Sequence, residues 1–240
     1  MKSVFKLGLT LAFVGLFMAV ASPLQAKKYI YGKGEVISEK RAVKGFDAIE
    51  VSSAFDIELT QGDSETLVIE AQENVMEHVR TEVFGGKLKI YIKGNLRKVK
   101  HLKAYISFKM LREISLSGAC DLIGMNKFEL KDIEFDLSGA TEVDVNLDAA
   151  EIVIDGSGAS DIILKGQANN MEIDVSGASE INTLDLEVDE VVVDASGAST
   201  IKVYAKTELR VEASGATTVR YKGSPSVDFD ASGASSIKRY

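Results

Sequence analysis

Six acidic residues recur at one fixed place in the chain: Asp136, Asp155, Asp174, Asp194, Glu212 and Asp230 each lie two residues before the serine of a Ser-Gly-Ala phrase. Four more, Asp121, Glu142, Asp161 and Glu180, lie four residues after such a serine. Carboxylates brought into line at even intervals repel one another, so cations, water or a partner should ease them. Calcium takes carboxylate and carbonyl oxygens in flexible geometry, which makes Asp136, Asp155, Asp174, Asp194 and Asp230 candidate calcium ligands. The Gly-rich, Asp-containing nonapeptide of calcium-binding β-solenoids is absent. A solvated acidic face whose Asp side chains bond turn amides accounts for the same residues.

Paired acids also serve glycoside cleavage, where two carboxylates stand about 5–10 Å apart and one holds a raised pKa. Here the acids are spread evenly, no Lys or Arg stands regularly beside them, and the chain has no Trp to stack on sugar rings. No catalytic residue is therefore assigned, no cofactor is called for, and the chain is read as non-enzymatic. The single Cys120 occupies the position three after its serine, where other copies have Thr141, Ser160, Ser179, Ser199, Thr217 and Ser235. It reads as a small substitute in a hydroxyl column, and it cannot form an internal disulfide. His78 and His101 have no Cys or carboxylate at metal-ligand spacing and read as surface or edge residues.

The elements that position these groups follow from the Ser-Gly-Ala phrases. Seven occur, at Ser117, Ser138, Ser157, Ser176, Ser196, Ser214 and Ser232, spaced 21, 19, 19, 20, 18 and 18 residues apart. Gly118, Gly139, Gly158, Gly177, Gly197, Gly215 and Gly233 are the candidate turn residues, since glycine takes positive φ without a steric penalty. Apolar residues alternate with polar ones on both sides, as in Ile152, Ile154, Ile162 and Leu164 of the third copy. That period of two marks strands with one buried face. A near-constant period with identical residues at identical offsets predicts stacked coils of about 19 residues. The expected fold is all-β, a right-handed parallel β-solenoid (β-helix) with a less regular N-terminal half. The hydroxyl column and the Gly-Ala turns should form one flat, small-residue outer edge.

Four segments are expected. Residues 1–26 read as a signal peptide, with Lys2, Lys6, an apolar run from Leu7 to Ala21 and cleavage after Ala26. The run of 15 residues is shorter than a membrane-spanning helix, and no Cys near the cleavage site supports a lipid anchor. Residues 27–41 read as a flexible or edge segment. Residues 42–111 read as an irregular β part, with a degenerate corner at Ser52-Ser53-Ala54 and a short helix over Glu73 to Arg80. Residues 112–240 hold the regular stack. Removal of the leader leaves 26 Lys and Arg against 36 acids, a net charge of −10. Such a protein is a poor partner for nucleic acid. The segment Lys87 to Lys109 is opposite in sign, with eight Lys or Arg and no acid.

The sequences Gly45-Phe46-Asp47-Ala48-Ile49-Glu50-Val51, Phe55-Asp56-Ile57-Glu58-Leu59-Thr60-Gln61-Gly62-Asp63 and Leu111-Arg112-Glu113-Ile114-Ser115-Leu116-Ser117-Gly118-Ala119, with the serial Ser-Gly-Ala turns, resemble the secreted bacterial head GIN-domain family of auto-transporter adhesins. The resemblance implies a pectin-lyase-like β-helix without catalytic residues, typical of Bacteroidetes-like envelopes. It also implies a role in cell adhesion or envelope interaction. The protein is thus expected in the periplasm, on the outer-membrane surface or outside the cell. Its expected partners are a surface glycan or a host or envelope protein, with self-association through the small-residue edge as a further expectation. The rival readings are a carbohydrate-active enzyme on the same fold, and a calcium-binding or self-assembling structural protein of the envelope.

Overall fold

The computed structural model describes residues 29–240; the expected signal peptide, 1–26, lies outside the described residues. The chain runs β1 (Tyr29–Tyr31), β2 (Val36–Arg41), β3 (Ala48–Ser53), β4 (Asp56–Gln61) and β5 (Thr66–Gln72), then α1 (Glu73–Met76). Next come β6 (Val79–Phe84), β7 (Lys87–Ile92), β8 (Asn95–Arg97), β9 (Leu102–Phe108), β10 (Glu113–Gly118), β11 (Asp121–Gly124) and β12 (Phe128–Glu129). The remainder is β13 (Asp132–Gly177), β14 (Glu180–Gly197), β15 (Thr200–Ala213), β16 (Thr218–Lys222), β17 (Ser226–Ala231) and β18 (Ser236–Arg239).

Alternation of buried and exposed side chains explains why these segments are strands. In β9 every second residue from Leu102 to Phe108 is buried, and in β10 Ile114 and Leu116 point inward. At the position three before each of the first six serines, Ile114, Phe135, Ile154, Ile173, Val193 and Val211 are all fully buried, and Phe229 before the seventh is partly buried. Each fully buried side chain contributes about 1.5–3 kcal/mol of hydrophobic stabilisation. They belong to one continuous core that also takes in Phe55, Leu59, Ile69 and Ile106 from the N-terminal part. Phe108 and Phe128 meet edge to face within it, with ring centroids 5.0 Å apart.

The expectation of a right-handed parallel β-solenoid is corrected. Sixteen strands form one mixed sheet, in which β2–β5, β5–β9 and β6–β7 are antiparallel while the Ser-Gly-Ala strands pair in parallel. The sheet curls round the core as a nearly closed, barrel-like wall. The reason lies in what a period of two encodes: it says which face is buried and nothing about strand direction. Direction in the N-terminal part is set by reversals such as Gly85-Gly86, both at positive φ, which turns β6 back along β7 as a hairpin. The strands break at five of the seven Ser-Gly-Ala corners, while extended structure continues through Gly139 and Gly158 inside β13.

Segment 27–41 contributes an edge strand, β2, paired antiparallel with β5. The expected helix shortens to one turn, because Val79 and Arg80 pair with Ile92 and Tyr91 in β6–β7 instead. A small separate sheet, β1–β8, is parallel. At the far side, Val227 of β17 pairs with buried Leu209 and is itself exposed.

The Ser-Gly-Ala corners are locked to one another by backbone. Gly118, Gly139, Gly158, Gly177, Gly197, Gly215 and Gly233 have φ from 73° to 120°. The Ala178 N–H donates to the Gly158 carbonyl, Ala198 to Gly177, and Ala216 to Gly197, at 2.7–2.8 Å. A Cβ on Gly177 would stand 2.3 Å from that same Gly158 oxygen. Ser53 has φ 107° at the first corner. It tolerates a side chain because the β3–β7 pairing stops at Val51–Ile90, so no corner lies beneath it. Gly177→Ala should therefore cost about 2–4 kcal/mol, combining left-handed strain with overpacking, while Ser53→Gly stays within about 1 kcal/mol of the parent. Thermal unfolding of the two variants tests the difference.

Candidate functional site

The candidate surface is the pair of carboxylate files flanking the corners. In the parallel register Ser115 stands beside Asp136, Asp174 beside Asp194, Asp194 beside Glu212, and Glu212 beside Asp230. Asp155 lies between Asp136 and Asp174: burial raises its pKa most, and these two neighbouring charges raise it further. The second file pairs Asp56 with Asp121, Asp121 with Glu142, and Asp161 with Glu180, and Asp121, Glu142, Asp161 and Glu180 line one shallow depression. Burial, then the Asp56 charge, raises the pKa of Asp121. Lys202 donates to Glu180 at 2.8 Å, and Lys165 to Asp144 at 2.9 Å on the neighbouring strand position.

The five calcium candidates Asp136, Asp155, Asp174, Asp194 and Asp230 are thus brought into single file, one carboxylate per level. Among the described residues no group of three or more His, Cys, Asp or Glu side chains gathers around a metal-sized point. The unequal spacings of the serines are absorbed away from the corners, where register shifts occur between Ile163 and Lys165 and between Thr183 and Glu187. The corner side therefore stays in register while the opposite side bulges.

The hydroxyl column is not part of the outer edge. Thr141, Ser160, Ser179, Ser199 and Thr217 are buried, whereas the Gly and Ala of each corner are exposed. Inside, Thr141 Oγ1 donates to Ser160 Oγ at 3.0 Å, and Thr217 Oγ1 donates to the Ser214 carbonyl at 3.1 Å. Cys120 makes the matching contact, its Sγ 3.6 Å from the Ser117 carbonyl. The signal for this inward turn was in the sequence: position +3 and the apolar +5 share one parity along the strand. His101 Nε2 lies 3.1 Å from Glu70 Oε2, which also accepts from the Tyr105 hydroxyl at 3.2 Å.

Residues 45–225 match the family described as "Putative auto-transporter adhesin, head GIN domain". The chain belongs to this family. Solved structures share the fold. A crystal structure described as a "putative adhesin" from Bacteroides fragilis superposes with a TM-score of 0.82 at 23% identity, covering 88% of this chain and 100% of that one. A "putative lipid binding protein" from Parabacteroides distasonis gives 0.71 at 22% identity over 89% and 100%. A further "putative adhesin", from Parabacteroides merdae, gives 0.63 at 20% identity over 90% and 100%. No curated protein matches the chain. Among the described residues no helix is long and apolar enough to cross a membrane.

Two outcomes follow for this surface. The raised pKa of Asp155 means that the folded state holds a proton at higher pH than the unfolded state does. Its charge therefore weakens the fold above the folded pKa, and the penalty is relieved as pH falls through that value. Asp155→Asn should raise Tm by about 1–2 °C at neutral pH, discounted for solvent screening, with the gain vanishing below about pH 4. For Cys120, burial raises the thiol pKa, so the native protein should resist alkylation that proceeds at once in denaturant. Labelling before and after unfolding, read by mass spectrometry, checks this.

Proposed function

We propose that this head GIN-domain protein is an exported, non-enzymatic scaffold that makes adhesive or envelope contacts through its outer surface. The observation that carries this reading is the distribution of the acids. Six of the seven levels present one carboxylate at the same place, as in Asp174–Asp194 and Glu212–Asp230. Such a surface offers a partner many equivalent weak contacts, whose sum depends on simultaneous engagement. Cleavage chemistry needs the opposite, one acid and one base set apart by their environments. The adhesin descriptions of the family and of two solved relatives support the same reading. Surface glycans and host or envelope proteins are the partner classes it takes.

The test is a glycan-array and extracellular-matrix binding screen on the exported protein, with chromatography of each bound glycan after prolonged incubation. Binding with the glycan recovered intact is the expected result. Release of shortened or unsaturated sugar products would replace the scaffold with a carbohydrate-active enzyme.

A further inference from the structure

The chain's charge is not evenly spread, and the middle of its one strongly basic stretch groups side chains that no carboxylate among the described residues pairs with. Within Lys87 to Lys109, Lys87 is paired with Glu113 at 2.5 Å, Lys89 with Glu50 at 2.9 Å, and Lys103 with Glu58 at 2.5 Å. Among the described residues, Arg97, Lys98 and Lys100 enter no ion pair within 4.0 Å, and all three are exposed. Arg97 ends β8 and Lys98 and Lys100 follow on the link to β9, over a shallow cavity whose one acid is Asp56. Glu70, the other acid near this link, is already engaged by His101 and Tyr105.

This link is held beside an aromatic face. Strand β1 pairs with β8, Tyr29 opposite Asn95 and Tyr31 opposite Arg97. Residues two apart on a strand share a face, so Tyr29 and Tyr31 stand together, each 41% exposed. Ile30 and Leu96, of opposite parity, pack against the core. The Arg97 guanidinium lies 5.2 Å from the centroid of the Tyr29 ring. The patch is anchored from behind: the Gln72 side chain accepts from the Lys100 N–H at 3.2 Å, and Asn74 bridges the Lys33 N–H and the Tyr31 carbonyl at 2.7 Å each. In sequence, Lys27 and Lys28 directly precede Tyr29.

Tyrosines beside clustered Lys and Arg are the side chains that settle at the headgroup level of a bilayer. Basic groups near an anionic lipid surface each add to binding within about a Debye length. We propose that the outer face of the β1–β8 sheet and the Arg97–Lys100 link form a docking surface for an anionic lipid bilayer. The acidic ladder, of opposite sign, is then repelled by that surface, so the lipid's charge orients the molecule as well as binding it. The assignment deepens the envelope reading and rests on it for the presence of a lipid surface, but the two fail separately: loss of every glycan or matrix ligand leaves vesicle binding untouched.

The experiment is co-sedimentation of the exported chain with phosphatidylcholine vesicles and with phosphatidylcholine–phosphatidylglycerol vesicles, at low and at molar salt. Binding is expected only to the anionic vesicles and should disappear at high salt. The combined variant Arg97→Gln, Lys98→Asn, Lys100→Gln should lower the partition coefficient about a hundredfold; Asn is chosen because Lys98 has φ 54°, which Asn tolerates. A control removing three exposed cations elsewhere, Arg220→Gln, Lys222→Gln and Lys238→Gln, should bind nearly as well as the parent. Circular dichroism and Tm establish that both variants are folded. Three results overturn the proposal: no binding to anionic vesicles at low salt, equal losses in the two variants, or capture by an acidic polysaccharide with no vesicle binding.

Discussion

One backbone hydrogen bond, made again at each corner, governs the rest of the molecule. The carbonyl of a corner glycine accepts the N–H of the alanine one level on, as between Gly158 and Ala178 or Gly197 and Ala216. The glycine of the next level passes so close to that oxygen that any Cβ would collide with it. Close approach and left-handed φ are two separate demands, and only glycine meets both. Ser53 shows that they are separable, since it satisfies the dihedral demand where no lower corner imposes the steric one.

That lock has electrostatic consequences. Holding the corners in register places acids of the same offset side by side, so Asp155 feels both Asp136 and Asp174. The protein accepts this repulsion on a solvated flank, where each charge costs little. It relieves the pattern elsewhere with cross-strand pairs such as Lys202–Glu180 and Lys165–Asp144. The basic stretch is treated in the same way at three of its eight cations, Lys87, Lys89 and Lys103. At the β8–β9 link Arg97, Lys98 and Lys100 enter no ion pair among the described residues and stand beside two exposed tyrosines.

The hydroxyl column links the sequence to the core in a way that spacing left ambiguous. Small polar side chains next to an exposed turn read naturally as surface. In the fold they turn inward, where Thr141 and Ser160 bond each other and Cys120 takes a place its neighbours fill with hydroxyls. Buried hydroxyls need partners; Thr141 finds one on the next level and Thr217 in its own turn's carbonyl, while Ser179 Oγ and Ser235 Oγ are left without one among the described residues.

The sequence by itself determined the all-β class, the family, the inward-facing apolar positions and the places where the chain must turn, because those depend on side-chain parity and on glycine at a fixed offset. It could not determine strand direction in the N-terminal part, since alternation is the same whichever way a strand runs; β2, β5, β6, β7 and β9 took their antiparallel partners only in the folded sheet. Nor could it separate the neutralised lysines from the free ones. Glu50, Glu58 and Glu113 come from distant parts of the chain, and only tertiary pairing decides which cations they quench and which are left to meet something else.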